Sequence, residues 1–205
     1  MESIVFFERI PLNPPRAQIY HRLGYKKHTT SLSTTQQEET DALINEATAL
    51  IALQGMSLRM QVVQNENDKI CLSDGVVFHS KSLSNFLRDC RETVLMGATA
   101  GKTIMEAIKD KTRGNLLSAA VVYDATASEM TDAALDWIME YYNRMLRREG
   151  KTLLPRRFSA GYADFNLANQ KMIYEKLQMN KFGVEINPSY LLIPEKSVTA
   201  ISGIR

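Results

Sequence analysis

The sequence has few of the residues that build metal sites and disulfide scaffolds. Its 205 residues include two cysteines and three histidines. Cys71 and Cys90 form no Cys-x-x-Cys pair, which favours free thiols in a reducing cytoplasm over a disulfide scaffold. His21, His28 and His79 are scattered, with no carboxylate or thiol at zinc-like spacing. The sequence therefore predicts no metal site.

Long apolar runs and an excess of one charge are also missing. No apolar run approaches the length of a membrane span, and Glu2, Glu8 and Arg9 interrupt the N-terminal region where a secretory signal would be continuous. The 25 basic and 23 acidic residues give a net charge of +2, which is too balanced for an electrostatic grip on nucleic acid or a membrane surface. We expect a cytoplasmic protein that recognises its partners locally, without nucleic acid or membrane.

The N-terminal region contains patterns of an irregular arm and of helices. Pro11, Pro14 and Pro15 prevent regular structure, so residues 1–30 are expected to form an arm with a short helix over residues 17–23. A second helix is predicted from the capping box of Thr35 and Glu38 to Gly55, and a third over residues 83–90 behind Ser82.

The middle of the chain contains a pattern with two interpretations. Residues 116–126 suit a buried strand as well as a buried helix, and we favour the helix. Ser128 is predicted to cap the next helix, where Asp132, Asp136 and Glu140 lie on the face opposite the apolar one. Such an acidic line is more often a solvated face than a site, so Asp132 needs support from elsewhere.

Strand patterns alternate with these helices. Residues 57–63 and 69–78 flank a polar turn over residues 64–68, which predicts an antiparallel hairpin. Further strands are predicted over residues 93–98, 183–187 and 190–204, with breaks at Pro188 and at Pro194-Glu195-Lys196.

A glycine-lysine pair follows the strand predicted over residues 93–98. Three residues separate Gly97 from Gly101-Lys102, whereas a phosphate-binding loop needs four, because successive amides must wrap the phosphates. The sequence therefore predicts an ordinary turn from strand to helix.

The segment from Arg157 to Leu167 has the composition of a ligand-binding loop. Arg157 offers a fork of donors to a carboxylate or phosphate, Gly161 permits a close backbone approach or a positive φ, and Tyr162 offers a flat face with a polar tip. An ordinary surface turn between strand and helix is the alternative on these residues alone.

Gln170 falls inside the apolar stripe of the helix that follows this loop. Asn166 is predicted to cap that helix, whose stripe includes Leu167, Ile173 and Leu177. The glutamine is either partly exposed at the helix start, or a buried amide that bonds the backbone of the preceding loop.

Motifs in this C-terminal region resemble the activation domain of cobalamin-dependent methionine synthase, especially its short free-standing relatives. The motifs are Arg157-x-x-x-Gly161-Tyr162, then Leu167 and Gln170, then Ile193-Pro194-Glu195-Lys196-Ser197-Val198-Thr199 and Gly203. The resemblance is weaker through residues 23–25, 95–108 and 124–137. It implies an α+β fold with a bent antiparallel sheet and flanking helices, over residues 1–205 as a single domain.

The resemblance also implies a ligand and its contacts. The family's domain binds S-adenosylmethionine and presents it to a cobalamin in the inactive cob(II)alamin state, so that reduction by a protein such as flavodoxin or ferredoxin and methyl transfer restore methylcobalamin. Arg157 would pair with the ligand carboxylate, Ser159 and Gly161 would offer backbone contacts, and Tyr162 would face the ligand or the corrin. Asp132 stands where the family has a glutamate and is one methylene shorter.

These implications give an expected function and its alternatives. The chain would be an accessory subunit that activates a separate corrinoid-dependent methionine synthase, which supplies the cobalamin. The alternative is an S-adenosylmethionine sensor or interaction module without a redox role. The family's domain continues past Ser197-Val198 to a further tyrosine, so part of the pocket is expected to be missing, rebuilt or completed by a partner. An autonomous methyltransferase is least favoured, because no glycine-rich strand-to-helix fingerprint is present.

Overall fold

A curled antiparallel sheet organises residues 3–26 and 30–205, which are the residues described in the computed structural model. The strands are β1 (Val5–Phe7), β2 (Gln54–Glu66), β3 (Lys69–Leu72), β4 (Val77–His79), β5 (Glu92–Thr99), β6 (Glu185–Ile186), β7 (Leu192–Ile193) and β8 (Ser197–Ile204). In the main sheet the order is β4-β3-β2-β5-β8, and β1 pairs with β2. Strands β6 and β7 pair separately. Glu2 and His28 lie outside the described residues.

Helices flank this sheet, and the predicted α+β fold with a bent antiparallel sheet is confirmed. The helices are α1 (Arg16–Arg22), α2 (Thr34–Leu50), α3 (Lys81–Phe86), α4 (Lys102–Arg113), α5 (Leu117–Leu146) and α6 (Asn169–Leu177). Short 3-10 turns follow α5 at Arg147–Glu149 and α6 at Met179–Phe182. Among the described residues, no helix combines the length and the apolar character that a membrane crossing requires.

Two apolar layers cover the two faces of the central strand β5. Val94 and Met96 belong to a cluster that includes Ile138 of α5. The alternate residue Leu95 belongs to a second cluster, which includes Leu177 of α6. This alternation follows from the period of two in a strand. It places α5 and α6 on opposite faces of the sheet.

Helix α5 is continuous over 30 residues. The helical interpretation of residues 116–126 is confirmed, but the prediction that Ser128 begins a new helix is wrong. No glycine or proline interrupts residues 117–146, and the hydroxyls of Thr126 and Thr131 donate to carbonyls four residues earlier. These threonines therefore satisfy their polar groups without ending the helix.

Several predicted boundaries also shift. The capping box of α2 is formed by Ser33 and Gln36, two residues before the predicted one. Helix α2 ends at Leu50, and Gly55 lies in β2, where an added Cβ would come within 2.9 Å of Ile10 and Ile138 side chains. Ser80 caps α3 in place of Ser82.

The strand predictions hold more closely. The hairpin of β2 and β3 is antiparallel, with its turn at Asn67 and Asp68. The run predicted over residues 69–78 is split into β3 and β4, which pair with each other. Gly101 leads from β5 into α4, as the turn interpretation predicted.

Candidate functional site

The segment 157–167 lies along β8 as an irregular loop. Phe158 and Ile201 exchange two backbone hydrogen bonds, of 2.8 and 2.7 Å. The amide of Gly161 donates to the Phe165 carbonyl at 2.7 Å, and the Phe165 ring is fully buried. Backbone pairing at one end and a buried ring at the other therefore hold the loop in place.

Gly161 has the positive φ that the sequence predicted, at +88°. An added Cβ would lie 3.3 Å from the Leu167 side chain. Both the backbone conformation and the close approach therefore favour glycine at this position.

Asp164 fixes the outer part of the loop to α3. Its carboxylate accepts from the Ser80 hydroxyl at 2.7 Å and from the amides of Lys81 and Ser82 at 2.7 and 3.1 Å. The Ser80 hydrogen bond is the largest cause that lowers the pKa of Asp164 well below its usual range. Local sequence patterns gave no signal for this contact, because Ser80 and Asp164 are 84 residues apart.

The Arg157 side chain contacts α5, and not α3 where Asp164 binds. Its guanidinium pairs with the Asp136 carboxylate and contacts the Met139 sulfur at 3.8 Å. The arginine side chain is 23% exposed, whereas that of Asp136 is 71% exposed. The Arg157 side chain is thus largely shielded from water, whereas the carboxylate that it pairs with is largely open to water.

Asp132 lies one turn before Asp136 on the same helix, and half of its side chain is exposed. Its carboxylate is 3.9 Å from the Arg22 guanidinium of α1. Burial of its other half raises the pKa of Asp132, and the positive charges of Arg157 and then Arg22 oppose this rise. The structure therefore brings Asp132 and Arg157 into one electrostatic environment.

These residues form what we call the charged cluster. Its members are Arg22, Glu129, Asp132, Asp136 and Arg157. Two guanidinium groups face three carboxylates, so the cluster carries one net negative charge when all are ionised. Such a set can bind a ligand that has both an anionic and a cationic group.

Ser159 and Tyr162 differ in how much they offer to a ligand. The Ser159 hydroxyl donates to the Thr199 carbonyl at 2.9 Å, so its side chain fastens the loop to β8. The Tyr162 ring is 67% exposed and stands edge-to-face against Phe158, with ring centroids 5.4 Å apart. Its outer face is open for contact.

Gln170 is half-buried, and its amide bonds elements other than the loop. Its amide nitrogen donates to the Tyr190 carbonyl at 3.2 Å, and its oxygen accepts from the buried Thr199 hydroxyl at 2.9 Å. The glutamine is therefore partly exposed, as one interpretation predicted, and the loop bonds of the other interpretation are not formed. Its bonds instead join α6 to β8 and to the turn before β7. The Asn166 cap is also wrong, because α6 follows Ala168 and Asn166 accepts from the Ala168 amide.

Lys196 makes a further connection between the β7–β8 turn and α5. Its ammonium group is 2.7 Å from the Asp124 carboxylate and 2.9 Å from the Ser128 hydroxyl. The lysine side chain is only 16% exposed. Lys196 belongs to the motif Ile193–Thr199, and its contacts join the turn before β8 to α5.

Concavities also lie away from these residues. One of about 430 Å³ is formed by the arm and the start of β2, with Ile10, Leu53 and Met130 in its lining. Another of about 410 Å³ lies beside Arg59 and Tyr142. We favour the charged cluster as the site, because there the segment 157–167, which has the composition of a ligand-binding loop, meets the acidic face of α5. Arg59 in the second concavity is held by two carboxylates, those of Glu92 and Glu149.

No protein-family model matches the sequence, and no curated protein does. Among solved structures, the chain is similar to a crystal structure of the MetH reactivation domain bound to AdoHcy, with a TM-score of 0.72 and 12% identity. The match covers 98% of this chain and 78% of that one. A likeness at this identity concerns the fold, which agrees with the one that the sequence motifs implied. The chain therefore has the fold of the methionine synthase reactivation domain.

Proposed function

We propose that the chain binds S-adenosylmethionine and supports the reductive remethylation of cob(II)alamin on a separate corrinoid-dependent methionine synthase. The observation that carries the proposal is the charged cluster, in which the loop of Arg157 meets the acidic face of α5. It occurs on the fold of a reactivation domain that was crystallised with AdoHcy.

The charges of the ligand match those of the cluster. S-adenosylmethionine carries one carboxylate, one ammonium and one sulfonium group, whereas the cluster carries two guanidinium groups and three carboxylates. In the proposed complex, Arg157 holds the ligand carboxylate and Asp132 holds the ammonium or the ribose end. Gly161 and Ser159 offer backbone contacts, and Tyr162 covers the ligand or faces the corrin.

The ion pair of Arg157 and Asp136 suggests how the ligand would enter. Asp136 is mostly exposed, so water can solvate its carboxylate once the guanidinium is taken by another anion. The ligand carboxylate would then take the place of the Asp136 carboxylate on Arg157, which would have an anionic partner both before and after binding. Such an exchange avoids leaving a partly buried guanidinium unpaired.

In the proposed role the protein positions S-adenosylmethionine and needs no general acid or base. A reductant protein such as flavodoxin or ferredoxin would supply one electron, and the cobalamin of the partner would supply the metal acceptor for the methyl group. Loss of that methyl group from the sulfonium would leave S-adenosylhomocysteine. The residues of this chain would hold the sulfonium near the metal. We place this activity in the cytoplasm. We also assign it to residues 1–205 as one domain, and the packing of α1 on α5 and of β1 on β2 supports that assignment.

Two measurements test the proposal. Calorimetric titration should show that S-adenosylmethionine binds to the chain. The second assay mixes the chain with a cobalamin-loaded methionine synthase that lacks its own activation domain, S-adenosylmethionine and a reductant, and follows the cob(II)alamin absorbance. The absorbance should fall faster than without the chain. An unchanged rate across methionine synthases from the same cell would exclude the activator role.

A sensor of S-adenosylmethionine without a redox role is the second candidate. It is favoured by the pairing of Arg157 with Asp136, because a guanidinium that can exchange partners could report the ligand without any further chemistry. Binding in the titration together with an unchanged cob(II)alamin signal would support this alternative.

A further inference from the structure

Arg22 reaches the charged cluster from α1, a helix that no motif of the ligand loop implicates. Its Nε donates to Glu129 Oε1 at 2.5 Å, although the two residues are 107 positions apart. Its Nη2 lies 3.9 Å from Asp132 Oδ2. The Glu129 side chain is only 16% exposed, so a largely buried carboxylate holds the guanidinium beside Asp132.

We propose that Arg22 is a positioning residue of the ligand site, which holds the Asp132 carboxylate from α1 and makes α1 part of the binding surface. The nature of the ligand rests on the function proposed above. The effect of Arg22 on Asp132 does not, because it is a property of the ligand-free protein.

The reason is the balance of groups around Asp132. The Arg22 guanidinium of α1 lies 3.9 Å from the Asp132 carboxylate. The positive charges of Arg157 and then Arg22 lower the pKa of Asp132, whereas the negative charges of Glu129 and Asp136, on the same helix as Asp132, raise it. Partial burial favours the neutral carboxylic acid, and each guanidinium favours the carboxylate. Only the carboxylate can hold the ammonium of an amino acid by charge, so the ionisation of Asp132 controls the strength of this contact.

Glu129 competes with Asp132 for the same guanidinium. Arg22→Gln should raise the pKa of Asp132, because it removes a positive charge. Glu129→Gln should lower it, because it removes a negative charge and leaves Arg22 free to pair with Asp132. General damage to the packing of α1 would not produce shifts of opposite sign.

The first test follows the carboxyl carbon of Asp132 by NMR titration in the absence of ligand. Arg16→Gln is the matched control, because Arg16 also lies on α1 and pairs with Asp41 and Asn45 of α2, away from the cluster. We expect a higher Asp132 pKa in Arg22→Gln, a lower one in Glu129→Gln, and the wild-type value in Arg16→Gln and Arg22→Lys. An Asp132 pKa that is unchanged in Arg22→Gln and Glu129→Gln would overturn the inference. If Arg22→Gln does not fold, Glu129→Gln carries the test.

The second test measures binding of S-adenosylmethionine by calorimetry across the acidic pH range. Near the Asp132 midpoint, Arg22→Gln should bind about two- to five-fold more weakly than wild type, the loss that accompanies one partly exposed ion pair, and Arg22→Lys should restore binding. Equal binding by Arg22→Gln and wild type at every pH would overturn the role in the site. A wild-type protein that binds no S-adenosylmethionine, but shows the two pKa shifts, would instead refute the proposed function and leave the effect on Asp132 intact.

Discussion

At the scale of single residues, the candidate site depends on Arg157. Its side chain is 23% exposed, and its guanidinium already engages a carboxylate on α5. Arg157→Ala should therefore weaken S-adenosylmethionine binding by about 1.5–3 kcal/mol, the range for a hydrogen bond to a charged group. Arg156→Ala is the matched control, because Arg156 is the exposed neighbour. Calorimetric titrations in which both variants match wild type would remove Arg157 from the site.

Local patterns in the sequence single out the candidate site residues that lie on the loop. Arg157, Gly161 and Tyr162 are neighbours in the sequence, and their residue types are unusual side by side. The role of the Ser159 hydroxyl was not visible, because its partner Thr199 is 40 residues away. Arg22 and Asp164 were missed for the same reason, since their partners come from distant parts of the chain.

At the scale of elements, Gln170 joins α6 to the sheet. Gln170→Leu should leave the buried Thr199 hydroxyl without its acceptor and the Tyr190 carbonyl without its donor. The free energy of unfolding should fall by roughly 1–3 kcal/mol, the cost of unpaired buried polar groups. Denaturant melts measure this change, with Lys171→Leu as the control for adding a leucine to an exposed position of α6. A Gln170→Leu variant as stable as wild type would mean that water satisfies both groups.

Element types were easier to predict than element ends. The strands β5 and β8 follow from their apolar composition, because burial dominates their energy, whereas the apolar pattern of residues 116–126 suits a strand as well as a helix. The ends depend on single hydrogen bonds, and several polar residues near each end can form them. Ser33 and Ser80 cap helices where the neighbouring Thr35 and Ser82 were predicted. Ser128 has a capping side chain, but it lies within continuous α5 and accepts from Lys196.

At the scale of the whole molecule, one ionic network ties the sheet to the end of α5. Arg59 of β2 pairs with Glu92 of β5 and with Glu149 after α5, and Lys151 bonds both acids. The hydrogen bond from Arg59 is the largest cause that lowers the pKa of Glu149 to about 2 and also lowers the pKa of Glu92. The network therefore binds these carboxylates in their ionised form.

The pH dependence of stability should reveal this network. A glutamate in the unfolded chain takes up its proton near pH 4.3, which is above the folded pKa of Glu149. The contribution of the network is therefore present above that pH and is lost as pH falls from about 4.3 toward the folded pKa values. Urea melts from pH 7 to pH 2 should show this loss, and Arg59→Gln should flatten it. Arg91→Gln, at an exposed position next to Glu92, should retain the wild-type slope.

The backbone pairing of residues 153–158 with β8 has a second consequence, for solubility. Strand β8 is at one end of the main sheet, and an uncovered edge strand is a template for pairing with another chain. Here Leu153 and Phe158 bridge to Ile204 and Ile201 and cover that edge. A substitution that detaches this segment, such as Phe158→Ser, should therefore expose β8 and cause association that increases with protein concentration. In light scattering, the variant should form large particles at concentrations where the wild-type protein stays dispersed.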